Sequence, residues 1–99
     1  MRASRSRPPP PGALRLSRAT PNPSSDGWNV AFTLATHQPA RIEVLDVSGR
    51  NVMTRDLTGL GPGEHRVRLT TRAGIPSGVY LIRLRQGARA ITTKAVAAR

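Results

Sequence analysis

The chain has 99 residues, sixteen Lys and Arg against five Asp and Glu, a formal net charge of +11, nine prolines and no cysteine. That length allows a single domain with a thin core, and the missing cysteine excludes disulfides and thiolate metal sites. No apolar run approaches the ~20 residues of a membrane-spanning helix, and the basic start Met1–Gly12 has no apolar stretch behind it, so no signal peptide is read there.

Residues 1–12 read as a disordered Pro/Arg-rich arm. Pro8 to Pro11 lack N–H donors and favour an extended polyproline conformation, and the flanking Arg and Ser cannot bury anything. The folded domain is expected over residues 13–99. Ala13 to Ser17 alternates weakly and is a marginal first strand. Pro21-Asn22-Pro23 then stops regular structure, because each proline removes a ladder donor and restricts the residue before it. Ser24 to Gly27 continues the turn.

Trp28 to Ala35 alternates with period two, placing Trp28, Val30, Phe32 and Leu34 on one face of a strand. Ala40 to Val47 is the next strand, with Ile42 and Val44 inward and Arg41 and Glu43 outward. Leu45 and Val47 fall on the Arg41 face, so either that face is partly covered or a bulge shifts the register. Ser48-Gly49 reads as a tight hairpin turn, with the Asp46 carboxylate before it placed to accept backbone N–H bonds. Arg50 to Leu57 is the weaker return strand. Gly59, Gly61, Pro62 and Gly63 break the chain, and Glu64 to Thr70 alternates cleanly, with His65, Val67 and Leu69 on one side.

Ile75 to Leu84 is the most apolar segment and the one the other strands are read as partnering. Pro76-Ser77-Gly78 turns the chain into it. Tyr80, Ile82 and Leu84 then point one way, and Val79, Leu81 and Arg83 the other. Apolar side chains on both faces place this strand centrally in a sheet. Gln86-Gly87-Ala88 reads as a turn, and Arg89 to Ala97 as a last strand of smaller residues. Six good strands and one marginal one, at this spacing, predict an all-β fold: an Ig-like antiparallel β-sandwich of about seven strands. Its core leans on three aromatics, Trp28, Phe32 and Tyr80.

The charge points to a basic surface more than to nucleic acid. The fifteen arginines are spread along the chain and Lys94 is the sole lysine. Base readout or stacking is needed beyond charge, and the few aromatics are needed for the core, so no specific nucleic-acid partner is expected. Chemistry is equally sparse. No two of Asp26, Glu43, Asp46, Asp56 and Glu64 are spaced to pair as general acid and base. His37 and His65 are too few for a metal site. No serine sits in a nucleophile elbow, and no Gly-rich loop precedes a helix. The expectation is no enzyme, no metal and no cofactor, with Tyr80 donating its hydroxyl to a backbone carbonyl as corner tyrosines do.

In order, the chain presents Pro21-Asn22-Pro23, the apolar strand at Val30 to Leu34, Asp46-Val47-Ser48-Gly49-Arg50-Asn51-Val52, Leu60-Gly61-Pro62-Gly63-Glu64-His65, Ser77-Gly78-Val79-Tyr80-Leu81-Ile82-Arg83-Leu84, and Lys94 near its end. Over residues 21–99 this resembles the type A C-terminal sorting domain of the type IX (Por) secretion system. It is similar, almost as closely, to the related Ig-like domain of the flagellar hook-capping protein FlgD. The motif residues Asp46, Gly49, Arg50, Gly63, Gly78 and Tyr80 serve turns and core in either case.

The resemblance to the sorting domain implies a role. Such domains ride at the end of an exported protein. The outer-membrane translocon and sortase-like processing factors read the folded domain and its last strand. The cargo passes through the periplasm to the cell surface or medium, and the domain is commonly removed. By that analogy the recognition face includes Thr93 onward: Lys94, Ala95, Val96, Ala97, Ala98 and Arg99, with cleavage before Pro21. About twenty residues precede Pro21, too few to be cargo, so the expectation is either the end of a longer protein or a stand-alone Ig-like module with another task. The alternative is a hook-capping or extracellular structural module.

Overall fold

The computed structural model of the chain describes residues 13–70 and 74–98. The arm expected at 1–12 and the terminal Arg99 lie outside the described residues. Seven strands follow one another: β1 (Arg15–Leu16), β2 (Trp28–Leu34), β3 (Ala40–Asp46), β4 (Asn51–Asp56), β5 (Gly63–Leu69), β6 (Gly78–Gln86) and β7 (Arg89–Ala97). They make two antiparallel sheets, one in the order β1-β2-β5 and one in the order β4-β3-β6-β7. No helix occurs among the described residues. The architecture is the seven-stranded sandwich that the alternation predicts.

The period-two pattern sets what faces inward. Along β2, Trp28, Val30, Phe32 and Leu34 are buried, and β5 lies beside them in register from Trp28 opposite Leu69 to Leu34 opposite Gly63. From the other sheet, Ile42, Val44, Tyr80, Ile82 and Leu84 close the core. Each large side chain taken wholly out of water there contributes about 1.5–3 kcal/mol. Trp28 and Tyr80 meet across the core with ring centroids 5.8 Å apart and planes tilted by 57°. β6 is central, between β3 and β7. Its second face remains about two-fifths exposed at Val79 and Leu81.

Several strand ends fall one or two residues from the sequence reading, and two of the differences have a clear physical cause. The strand expected through Val47 ends at Asp46, because the register slips between Val44 and Leu45 against β4. The slip is the alternative raised by the parity of Leu45 and Val47: Leu45 is buried, and Val47 is carried into the turn, 79% exposed. Gln86, expected in a turn, is instead the buried last residue of β6. Its Oε1 accepts the N–H groups of Ala35 (2.8 Å) and Thr36 (3.2 Å), and its Nε2 donates to the carbonyls of Thr36 (3.0 Å) and Gln38 (2.9 Å). One side chain thus satisfies four backbone groups of the β2–β3 connection.

Glu43 lies on the outer face of the larger sheet yet is only 7% exposed. Arg83, its cross-strand neighbour, holds Oε1 at 2.9 Å, and Arg41 approaches Oε2 at 3.4 Å. The two guanidinium groups cover and compensate the carboxylate, as a buried charge requires.

Candidate functional site: the braced final strand

β7 is an edge strand, bonded along one side to β6 from Gln86 opposite Arg89 to Gly78 opposite Ala97. Its last residues are gripped on the other side by the segment that precedes β2. The side-chain oxygen of Asn22 accepts the Val96 N–H at 2.8 Å. The Val96 carbonyl accepts the Ser24 N–H at 2.9 Å and the Trp28 indole N–H at 3.2 Å, and the Ala98 N–H donates to the Ser24 carbonyl at 2.8 Å. Ser24 and Ala97 form a parallel bridge, the one such pairing among the described residues.

The local sequence explains the grip. Prolines 21 and 23, each preceded by a cis peptide bond, lack the N–H donors of a regular strand. Asn22 between them is free to turn its side chain outward to a neighbour. Ser24 is 3% exposed, and its hydroxyl accepts the N–H groups of Asp26 (3.2 Å) and Gly27 (3.1 Å) while donating to the Gly27 carbonyl. Gly27 has φ of +123°, and a Cβ there would run into the Leu69 carbonyl oxygen. Only glycine fits this close approach.

The side chains of β7 divide by parity. Ala95 and Ala97 are buried, with Tyr80 opposite Ala95; Lys94 is exposed. Small residues suit these inward positions because the bulky Trp28 and Tyr80 already fill that end. On the outer face, Lys94 stands opposite Leu81 and Val96 opposite Val79. Val96 directs both its N–H and its C=O away from β6. The alternation of an antiparallel ladder therefore directs those of Thr92 and Lys94 the same way, where no strand among the described residues pairs with them.

The β3–β4 turn lies at the same end of the larger sheet, since Asp46 is opposite Tyr80. Asp46 Oδ1 accepts the Ser48 hydroxyl (2.7 Å), the Ser48 N–H (2.9 Å) and the Arg50 N–H (3.0 Å). The Ser48 hydroxyl bond, then the Arg50 N–H, hold its carboxyl below the usual carboxylate range. Gly49 supplies φ of +88° behind it. Asp56 repeats the device after β4, its carboxyl lowered by the Thr58 hydroxyl and then the Thr58 N–H. The Tyr80 hydroxyl donates to the Pro76 carbonyl at 2.6 Å, closing the turn into β6.

Of the residues singled out from sequence, the fold gathers Trp28, Asp46, Gly49, Arg50, Gly78, Tyr80 and Ala95 to Ala98 at one end of the sandwich. Gly63 is not among them: it opens β5 opposite Leu34, at the far end. Phe32 lies mid-core with its ring 5.5 Å from that of His65. Asn22 and Ser24 were missed as contributors to the final strand. The only signal for them was the Pro21-Asn22-Pro23 motif itself. No group of three or more His, Asp or Glu that could hold a metal occurs among the described residues.

The fold and this end of it define a small β-sandwich module whose distinguishing feature is the way it presents its final strand. Residues 19–98 match the family model described as the secretion system C-terminal sorting domain, and the chain belongs to that family. It carries a C-terminal sorting signal for type IX secretion. No curated protein matches the chain.

Proposed function

We propose that the type IX apparatus recognises the end of β7 together with the outer face beside it. The observation that carries this is the bracing of Val96: its N–H and C=O are held by Asn22, Ser24 and Trp28, which fixes Lys94 beside Leu81, while no strand among the described residues pairs with the outward backbone groups of Thr92 and Lys94. Lys94, Ala95, Val96, Ala97, Ala98 and Arg99 are the recognition segment. Lys94 supplies a charge, Val96 with Val79 and Leu81 an apolar contact, and the open edge a place for strand addition. The partners are the outer-membrane translocon and the sortase-like processing factors. Cargo attached ahead of the domain reaches the cell surface or medium from the periplasm, and the segment before Pro21 takes the cut. The domain itself performs no catalysis and acts by being recognised. The hook-capping alternative has no support from the family match.

The test is a fusion of an inner-membrane export signal, a fluorescent reporter and residues 13–99 in a host with a working type IX apparatus. The intact fusion should reach the surface or medium. Deletion of 93–99 and the surface substitution Lys94→Glu should each hold the reporter in the periplasm. Normal export of the Lys94→Glu fusion would remove Lys94 from the recognition face, and normal export of the deletion would remove the whole segment.

A further inference from the structure

The outer face of the three-stranded sheet forms a second, separate surface. Its central strand, β2, carries only short side chains there: Asn29, Ala31 and Thr33. Arginines rise on both sides. Arg15 on β1 lies in the Thr33 row, and Arg66 and Arg68 on β5 stand opposite Ala31 and Asn29. Arg18, just past β1, lines the same trough. Two adjoining open clefts, of about 560 and 500 Å³, run along it and share Ser17, Ala31 and Arg66. Glu64 and Asp26 are its acidic neighbours, and only Asp26 pairs with a wall arginine, reaching Arg68 at 3.2 Å.

We infer that this trough binds an extended acidic segment of a partner protein. The walls are two strand spacings apart, about 9.6 Å, wide enough for one extended chain over a floor of small residues. Arg66 and Arg68 are two residues apart on one strand, so they repeat at about 6.7 Å, the spacing of alternate side chains in an extended peptide. Asp or Glu at every second position of such a peptide meets one guanidinium after another, and Arg suits carboxylates through paired N–H donors.

The occupant is not this chain. Residues 1–12 contain arginines and no acid, and none of the five acidic residues is followed by another at an alternate position. A second copy lacks such a segment for the same reason. A nucleic acid is disfavoured because Trp28, Phe32 and Tyr80 are all buried in the core, so the trough exposes no Trp, Phe or Tyr ring to stack a base.

The experiment is fluorescence anisotropy on the full chain with three probes: a labelled twelve-residue peptide alternating Glu and Thr, its isomer with six Glu followed by six Thr, and a twelve-nucleotide oligothymidylate. The alternating peptide should bind tightest. Replacing Arg66 and Arg68 together with Gln should weaken it by about tenfold. Replacing Arg50 and Arg85 with Gln removes the same charge from elsewhere and should change it less than twofold. Thermal melting checks that the variants are folded, and Arg66→Gln alone, which removes no ion pair among the described residues, provides an intermediate loss. Equal binding of the two peptides, equal loss in the two double variants, or tighter binding of the oligothymidylate would each overturn the assignment.

Discussion

The side-chain oxygen of Asn22 holds the backbone N–H of Val96 at 2.8 Å across 74 positions of sequence. The bond is local to neither residue's own strand, and it fixes the outer side of the last strand from the domain's first turn. Replacing Asn22 by Ala should cost about 0.5–1.5 kcal/mol of unfolding free energy. It should also raise hydrogen exchange at the Val96 amide while leaving Ala97, which faces β6, much less affected. Asn22→Asp keeps the acceptor and should restore most of the Val96 protection. Unchanged exchange in Asn22→Ala would show that the bond does not brace the strand.

Trp28 has two jobs, filling the core and donating to the Val96 carbonyl. Trp28→Ala should cost about 3–5 kcal/mol, as large aromatic truncations do. Trp28→Phe retains a ring and loses the donor, so it should cost less in chemical denaturation. It should still increase exchange at the Ala98 amide, which depends on the same clamp.

Two glycines with positive φ should respond differently to alanine. At Gly49 a Cβ meets nothing within 4 Å, so the cost is backbone strain alone, about 1 kcal/mol. At Gly27 the strain is joined by a clash with the Leu69 carbonyl oxygen, a backbone atom that cannot swing aside. Gly27→Ala should therefore destabilise more than Gly49→Ala, by about 2 kcal/mol or more in total. Equal melting temperatures for the two variants would contradict the close packing of Gly27.

Asp46 makes the β3–β4 turn sensitive to acid. Its folded carboxyl titrates below the unfolded value of 3.8 because the Ser48 hydroxyl and the Arg50 N–H favour the charged form. Its contribution is therefore fully present above that value and is lost as pH falls through the lower, folded value. Asp46→Asn should be less stable than the unchanged chain at pH 6, and the difference should shrink toward pH 2. Asp56 should behave the same way through Thr58. Urea titrations at several pH values measure both; a gap that does not depend on pH would mean the carboxylate charge is immaterial.

Period-two alternation was enough to read most of the strands, because β2, β5 and β6 each bury one face more deeply than the other. β7 has the limits the alternation predicts, and the parity conflict at Leu45 and Val47 pointed to the slip found there. What could not be read depends on distant partners. Gln86 next to Gly87 has the local composition of a turn, and only the β2–β3 connection fifty positions away makes it a buried staple. Glu43 alternates as a solvent-facing residue, and Arg83 opposite it, with Arg41, keeps it covered. Pro21 and Pro23 announce a break, but nothing local says that Asn22 reaches Val96. The motif order was legible as a family pattern, whereas the clamp beneath it was not.

The parallel bridge between Ser24 and Ala97 ties the start of the domain to its end. Contacts of such long sequence separation carry the largest loop-closure cost and are among the slowest to form. The tail therefore takes up its fixed geometry only once residues 20–28 are laid against it and the strands between are paired. A domain unfinished at either end leaves the Val96 carbonyl and N–H loose. The shape of the tail is in this sense a certificate of completion: whatever grips it in this form has, by the same act, inspected the whole domain.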